Sequence, residues 1–107
     1  MNRIRQLLQK RKGILLKMAR IVEMRRGSVV RQMLPRQQQG KPAPERRGPY
    51  PLFTCKRQGQ TVSRRLHSEE ERKRLERQVQ NFHRFQELSR RLVETAEALC
   101  EEKEKNR

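Results

Sequence analysis

The sequence predicts an α+β fold, in which two amphipathic helices form an antiparallel pair and a small two- to three-stranded antiparallel sheet lies between them in the chain. Two observations indicate this class. Apolar residues recur at helical spacing towards both ends of the 107-residue chain. Between those ends, Gln58-Gly59 separates two runs of high β propensity, which is typical of a β-hairpin with a two-residue turn.

The length of the chain indicates how many domains it forms, and its charge distribution indicates the kind of partner. The length predicts one small domain over residues 1–107. Residues 1–66 contain 18 Lys and Arg against two Glu, whereas residues 67–107 contain ten cations and ten Glu, which gives the net charge of +16. The excess of cations in residues 1–66 indicates a binding region, and the balanced charge of residues 67–107 indicates a structural region. A polyanion is the natural partner of the basic region.

Residues 2–25 predict the first helix, and three interpretations of it are open. The helix could pack on the C-terminal helix, lie on a membrane surface, or act as an Arg-rich targeting presequence. We favour packing, because the later helix has a matching apolar stripe. No apolar run is long enough to span a bilayer, so we expect a cytoplasmic protein without membrane contact. The stripe of the first helix comprises Ile4, Leu7, Leu8, Leu15, Met18, Ile21 and Val22.

A short strand and a basic loop follow. Residues 28–34 predict a strand that Pro35 stops, and this strand would add to the hairpin as its third. Residues 35–49 are rich in Pro, Gln and Gly and predict a loop without helical or strand period. This loop is either a solvated connector or a basic arm that orders on a nucleic-acid backbone.

Residues 50–66 predict the β-hairpin. A turn at Gln58-Gly59 places Cys55 opposite Val62, and it also pairs Phe53 with Arg64 and Thr54 with Ser63. Because side chains alternate along a strand, Phe53, Cys55 and Val62 would share a face that packs on a core. The opposite face would carry hydroxyls and cations that could contact phosphate, namely Thr54, Lys56, Thr61, Ser63 and Arg65.

Residues 68–105 predict one long helix. Ser68 can cap its N-terminus, and Glu71 three positions later completes a capping box. Apolar residues from Leu75 to Leu99 recur with a period near the 3.5 residues of a coiled-coil seam. The far end of this helix could therefore pair with a second copy of the chain or with another protein.

Three motifs together resemble an uncharacterised family of small basic prokaryotic proteins. They are Met24-Arg25-Arg26-Gly27-Ser28-Val29, Gly48-Pro49-Tyr50 before a strand, and Gln58-Gly59-Gln60-Thr61-Val62-Ser63 before a polar helix. The resemblance covers about residues 14–99. It implies a helix–sheet–helix fold, genes near mobile elements, and no assigned activity. Members often carry a cysteine cluster before the Gly-Pro-Tyr segment, and residues 35–47 have none.

The sequence predicts no enzyme. The chain has no Asp, and Glu23 and Glu45 are isolated, whereas two-metal phosphoryl transfer needs several converging carboxylates. Tyr50 could be a recombinase-type nucleophile beside Arg46 and Arg47. We favour a packing role for its ring, because one tyrosine without an assembled pocket is not a site.

No cofactor is expected either. Cys55 and Cys100 lie far apart in sequence, and only His67 and His83 could join them, so zinc ligation is disfavoured against two reduced thiols.

The leading hypothesis is a nucleic-acid-binding accessory protein that contacts the phosphate backbone of DNA or RNA. The alternative is a helical interaction module, which would form a homodimer or join a larger nucleic-acid enzyme through residues 68–105. For the first hypothesis, eight cations are the predicted phosphate contacts: Arg31, Arg36, Arg46, Arg47, Lys56, Arg57, Arg64 and Arg65.

Overall fold

The computed structural model describes residues 2–32 and 50–107. The strands form one antiparallel sheet in the order β1-β2-β3. Two helices with a three-stranded antiparallel sheet between them in sequence confirm the predicted α+β class. The elements are α1 (Arg3–Ala19), β1 (Ser28–Gln32), β2 (Tyr50–Arg57), β3 (Gln60–Arg65) and α2 (Glu69–Lys105).

The chain contains two compact units. We call Met1–Met24 with Gln80–Arg107 the helical unit, and Arg25–Val79 the sheet unit. The prediction of one domain over residues 1–107 stays a prediction. Within the described residues, neither helix has an apolar stretch of the length that a membrane crossing requires.

The helical unit buries residues from both helices. Its buried side chains are Leu7 and Ile14 of α1 and Leu88, Thr95 and Leu99 of α2. The Thr95 hydroxyl donates to the carbonyl oxygen of Arg91 at 2.8 Å, which satisfies this buried polar group within its own helix.

The prediction that the first helix extends to residue 25 is wrong, because α1 ends at Ala19. Ile21 and Val22 follow this end, and β-branched residues have reduced helix propensity. The carbonyl oxygen of Glu23 accepts a hydrogen bond from the Asn81 side-chain amide at 3.0 Å. This chain segment is therefore held by a tertiary contact in place of a further helical turn.

In the sheet unit, the hairpin has the predicted register. Cys55 pairs with Val62, and the pairs Phe53–Arg64 and Thr54–Ser63 also form. Gln58 has φ +52° and Gly59 has φ +80°, so both central turn residues have the positive φ of a type I′ turn.

β1 pairs with β2 from Ser28↔Thr54 to Gln32↔Tyr50, which makes it the third strand of the sheet. It ends at Gln32, and the last two residues of the predicted strand 28–34 lie outside the described residues, as does the predicted loop 35–49.

The two faces of the sheet differ. Phe53 is buried in a cluster with Leu66, Leu75 and Val79, and Val29 and Cys55 pack against this cluster. This is the helix-facing face. The other we call the open face, since no described helix residue packs in a buried cluster on it. By register and alternation, the open face carries Ser28, Val30, Tyr50, Leu52, Thr54, Lys56, Thr61, Ser63 and Arg65.

α2 begins with the predicted cap. The Glu71 backbone N–H donates to the Ser68 hydroxyl oxygen at 3.0 Å, and the Glu71 carboxylate accepts from the His67 backbone N–H at 2.9 Å. The reciprocal bond thus reaches one residue further back than in a standard capping box. The His67 N–H bond also lowers the pKa of Glu71 below its ordinary value.

Candidate nucleic-acid interface

The sheet is positively charged because its strands contain cations and no acid. β1, β2 and β3 together have five Lys and Arg residues and no Glu. Among the described residues of the sheet unit, every Glu lies on α2. The strand cations are Arg31, Lys56, Arg57, Arg64 and Arg65.

These five cations lie on opposite faces of the sheet. Lys56 and Arg65 are on the open face, whereas Arg31, Arg57 and Arg64 are on the helix-facing face, since they alternate with the open-face residues. The structure therefore brings Lys56 and Arg65 to one surface and separates them from the other three. The remaining predicted contacts, Arg36, Arg46 and Arg47, lie outside the described residues.

A groove of about 410 Å³ lies at one end of the open face. We call it the Lys56 groove. It is bounded by two cations, Arg26 and Lys56, and by residues with hydroxyl groups. No acidic residue is among its described lining residues, and neither cation forms an ion pair with a described residue. Cations and hydroxyls without a competing carboxylate are the donors that bind phosphate oxygens. The lining residues are Arg26, Gly27, Ser28, Thr54, Cys55, Lys56 and Thr61.

Gly27 makes this groove possible. It has φ +140°, and a Cβ at this position would lie 2.6 Å from the Thr54 carbonyl oxygen and 2.8 Å from the Phe53 ring. Only glycine lets the chain pass so close to β2 in this conformation. As a result, Arg26 and Ser28 lie beside Thr54 and line one groove with Lys56.

Arg65 and Tyr50 form a stacked pair at the other end of the open face. The guanidinium carbon of Arg65 lies 3.9 Å from the centroid of the Tyr50 ring. Arg65 is exposed and Tyr50 is half-buried. This is a cation–π contact, which positions the guanidinium without neutralising its charge.

A second groove, of about 330 Å³, lies on the helix-facing face and is a weaker candidate. Three of its lining residues are Arg25, Arg57 and Arg64. Arg64 forms an ion pair with Glu71 at 3.3 Å. Arg25 donates through Nε to Gln78 Oε1 at 2.7 Å, and its backbone N–H donates to the Gln78 carbonyl at 3.1 Å. Two of the three arginines thus already have partners within the protein.

Several charges of α2 pair with one another. Arg72 contacts Glu69 at 2.6 Å and Glu76 at 2.7 Å, and Arg90 contacts Glu87 and Glu94 in the same i,i+3 and i,i+4 pattern. The hydrogen bonds from Arg72 and Arg90 hold the pKa values of Glu69 and Glu87 below the ordinary range. Because α2 contains nine Lys and Arg and ten Glu, its net charge is close to zero.

Among the residues of the Lys56 groove and the stack that were not predicted as contacts, Arg26, Ser28 and Tyr50 matter most to the site. Ser28 was predicted in the third strand without a register against the hairpin, so its position opposite Thr54 was not expected. Arg26 precedes that strand, so its position beside Lys56 was not expected either. The signal was Gly27, the one residue that permits this close approach. Tyr50 was considered only as a nucleophile or a packing residue, and its contact with Arg65 joins residues fifteen positions apart.

Within residues 2–32 and 50–107, no three His, Cys or acidic side chains form a group that could hold a metal ion. Cys55 is a half-buried free thiol and Cys100 an exposed one.

Comparison with protein-family models, with curated proteins and with solved structures found no match for this chain. The resemblance to a family of small basic prokaryotic proteins stays a prediction, and the functional interpretation depends on the residues of this chain.

Proposed function

We propose that this protein is a non-catalytic accessory protein that binds the phosphate backbone of nucleic acid. The contacts come from the basic hairpin, from the residues that precede β1, and from the predicted 35–49 loop and the cationic side of α1. Such a protein would act in the cytoplasm, and the family resemblance suggests a link to a mobile element. The observation that carries the proposal is the acid-free sheet with the Lys56 groove on its open face.

Chemistry supports phosphate as the ligand of this groove. Arg26 offers a planar fork of N–H donors, and Lys56 offers a compact charge. Ser28, Thr54 and Thr61 add neutral hydroxyl donors. Among the described lining residues there is no carboxylate that would compete with an external anion for these donors.

The salt dependence of binding tests the proposal. On duplex DNA, log affinity falls with log salt, and each neutralised phosphate adds about 0.9 to the magnitude of this slope. The double variant Arg26→Gln/Lys56→Gln should therefore have a slope that is shallower by about 1.8. Between about 50 and 200 mM salt, the affinity of the parent protein should therefore fall by a factor roughly tenfold larger than that of the variant. Filter binding against duplex DNA, single-stranded DNA and RNA measures this slope.

A charge-matched control separates the groove from net charge. The double variant Arg84→Gln/Lys103→Gln removes two exposed cations from α2 and should leave the slope nearly unchanged. Equal slopes for the two double variants would exclude the groove as the contact surface. Failure of the parent protein to bind any of the three polyanions at low salt would overturn the proposed function.

A second candidate function, a helical interaction module, is favoured by exposed apolar residues in the helical unit. Leu16 is 55 % exposed, Val93 is 56 % exposed and Val22 is 85 % exposed. An interaction module would form a dimer, or a complex with a protein partner, that persists at high salt and ignores nucleic acid. Size-exclusion chromatography with light scattering, at low and high salt, distinguishes this behaviour from salt-sensitive polyanion binding.

A further inference from the structure

We propose that the open face selects single-stranded nucleic acid, because one base stacks on the Arg65–Tyr50 pair while phosphates further along the same strand occupy the Lys56 groove. This inference rests on the proposed function and deepens it: it names the class of strand and the residue pair that distinguishes it. Two features carry it, the stacked pair at one end of the open face and the cationic groove at the other.

The stacked pair is suited to receive a base. The guanidinium carbon of Arg65 lies over the Tyr50 ring at 3.9 Å, and Arg65 is exposed, so a ligand in solution can reach this side chain. Unstacked bases stack on aromatic rings and on Arg guanidinium planes. Every base has a π-face, so a contact of this kind tolerates any sequence.

The two features lie at a distance that a short strand can span. Arg65 is opposite Leu52 and Thr61 is opposite Lys56, so the features are four residues apart along β2. Four residues of β-strand correspond to roughly 13 Å, which about four stacked nucleotides, or fewer extended ones, would cover. The hydroxyl group of Ser63, which is opposite Thr54, lies between them on the same face.

A duplex cannot use the stacked pair in this way. Its bases are paired and stacked inside the helix, and a base has to leave the stack before a side chain can contact its face. Duplex DNA would therefore gain only the backbone contacts of the Lys56 groove. A single strand would gain those contacts and the stacked base as well, so it should bind more tightly at equal phosphate count.

The test compares strands that differ only in their bases. The probes are an oligothymidylate of about a dozen nucleotides, an abasic strand of equal length, and a duplex of the same length, a size that covers common single-strand sites. The parent protein should bind the oligothymidylate about 5- to 150-fold more tightly than the abasic strand, which is the range that one stacked base provides.

Matched variants assign the effect to the pair. Tyr50→Leu should abolish the difference between the thymidine and abasic strands, whereas Tyr50→Phe, which keeps the ring, should retain it. Arg65→Lys keeps the charge but removes the planar guanidinium, so it should reduce the difference and preserve the salt slope. Circular dichroism should show that each variant is folded like the parent, which separates a lost base contact from unfolding, and Arg84→Gln, a change on α2, should bind both strands as the parent does.

The failure of this inference differs from failure of the proposed function. Equal binding of thymidine and abasic strands by the parent protein would refute base stacking and leave backbone binding intact. Retention of the full difference by both Tyr50→Leu and Arg65→Lys would place the base elsewhere and refute the assignment. Binding of no probe at low salt would overturn the proposed function itself.

Discussion

Replacing Gly27 with Ala should lower the free energy of unfolding by about 2–6 kcal/mol, the sum of backbone strain and of an overpacked contact. The backbone of Gly27 has φ +140°, which an L residue rarely adopts. The new Cβ would also lie 2.6 Å from the Thr54 carbonyl oxygen and 2.8 Å from two ring carbons of Phe53. Neither neighbour can move easily, because Thr54 belongs to the central strand and Phe53 is in the core of the sheet unit.

Urea unfolding followed by circular dichroism measures this loss, and two other glycines provide controls. Gly59 has φ +80°, but a Cβ at this position would meet nothing within 4 Å, so Gly59→Ala should cost only the left-handed strain of about 1–2 kcal/mol. Gly13 lies in the interior of α1 with the same free space, so Gly13→Ala should stabilise by about 0.5–1 kcal/mol.

The expected order of unfolding midpoints is Gly13→Ala, then the parent protein, then Gly59→Ala, and Gly27→Ala lowest. Equal midpoints for Gly27→Ala and Gly59→Ala would show that residue 27 does not approach β2 closely, and the geometry of the Lys56 groove would then be wrong. The Gly27→Ala variant should also lose binding to polyanions under conditions where it remains folded, because Arg26 and Ser28 would move away from Lys56.

Two further predictions concern the turn and the start of α2. Gln58→Asn should raise the thermal midpoint by an amount equivalent to roughly 0.5–1 kcal/mol, since Gln58 has φ +52° and Asn adopts this region more readily; a lower midpoint would contradict the type I′ assignment. The lowered pKa of Glu71, caused first by the His67 N–H bond, contributes stability above the ordinary Glu pKa of about 4.3 that is lost as pH falls through the lower folded pKa. Glu71→Gln should therefore flatten the fall in thermal midpoint below about pH 4, whereas Glu70→Gln, which changes an exposed neighbour, should leave more of that fall in place. Equal acid sensitivity of these two variants would contradict the capping role of Glu71.

Local rules predicted those parts of the fold that depend on neighbouring residues. The spacing around Gln58-Gly59 predicted the hairpin register, because a two-residue turn determines which residues face one another. Ser68 and Glu71 likewise predicted the start of α2, because a capping residue and the Glu three positions later are close in sequence. The end of α1 could not be predicted in this way. Ile21 and Val22 continue the apolar period, and the contact between Asn81 and the Glu23 carbonyl, which holds the chain there, joins residues far apart in sequence.

The candidate site was predictable in composition but only partly in arrangement. Strand alternation places Lys56 and Arg65 on one face and Arg64 on the other, and the structure agrees. Sequence alone did not show that Glu71 would bind Arg64, since that ion pair depends on how the chain turns from β3 into α2. The Tyr50 ring contacts Arg65 because β2 and β3 pair with Leu52 opposite Arg65. This contact therefore depends on strand pairing and on no short sequence motif.

The separation of charges within the chain links folding to binding. Acids of α2 form pairs with cations of the same helix, such as Glu69 with Arg72 and Glu87 with Arg90, so they do not neutralise the open face of the sheet. A sheet with uncompensated cations is destabilised by repulsion among them. A polyanion that binds only the folded state removes this repulsion and stabilises the fold in proportion to the logarithm of its concentration over its dissociation constant. If α2 instead directed its carboxylates to the open face, the protein would be more stable without a ligand, and the Lys56 groove would no longer attract phosphate.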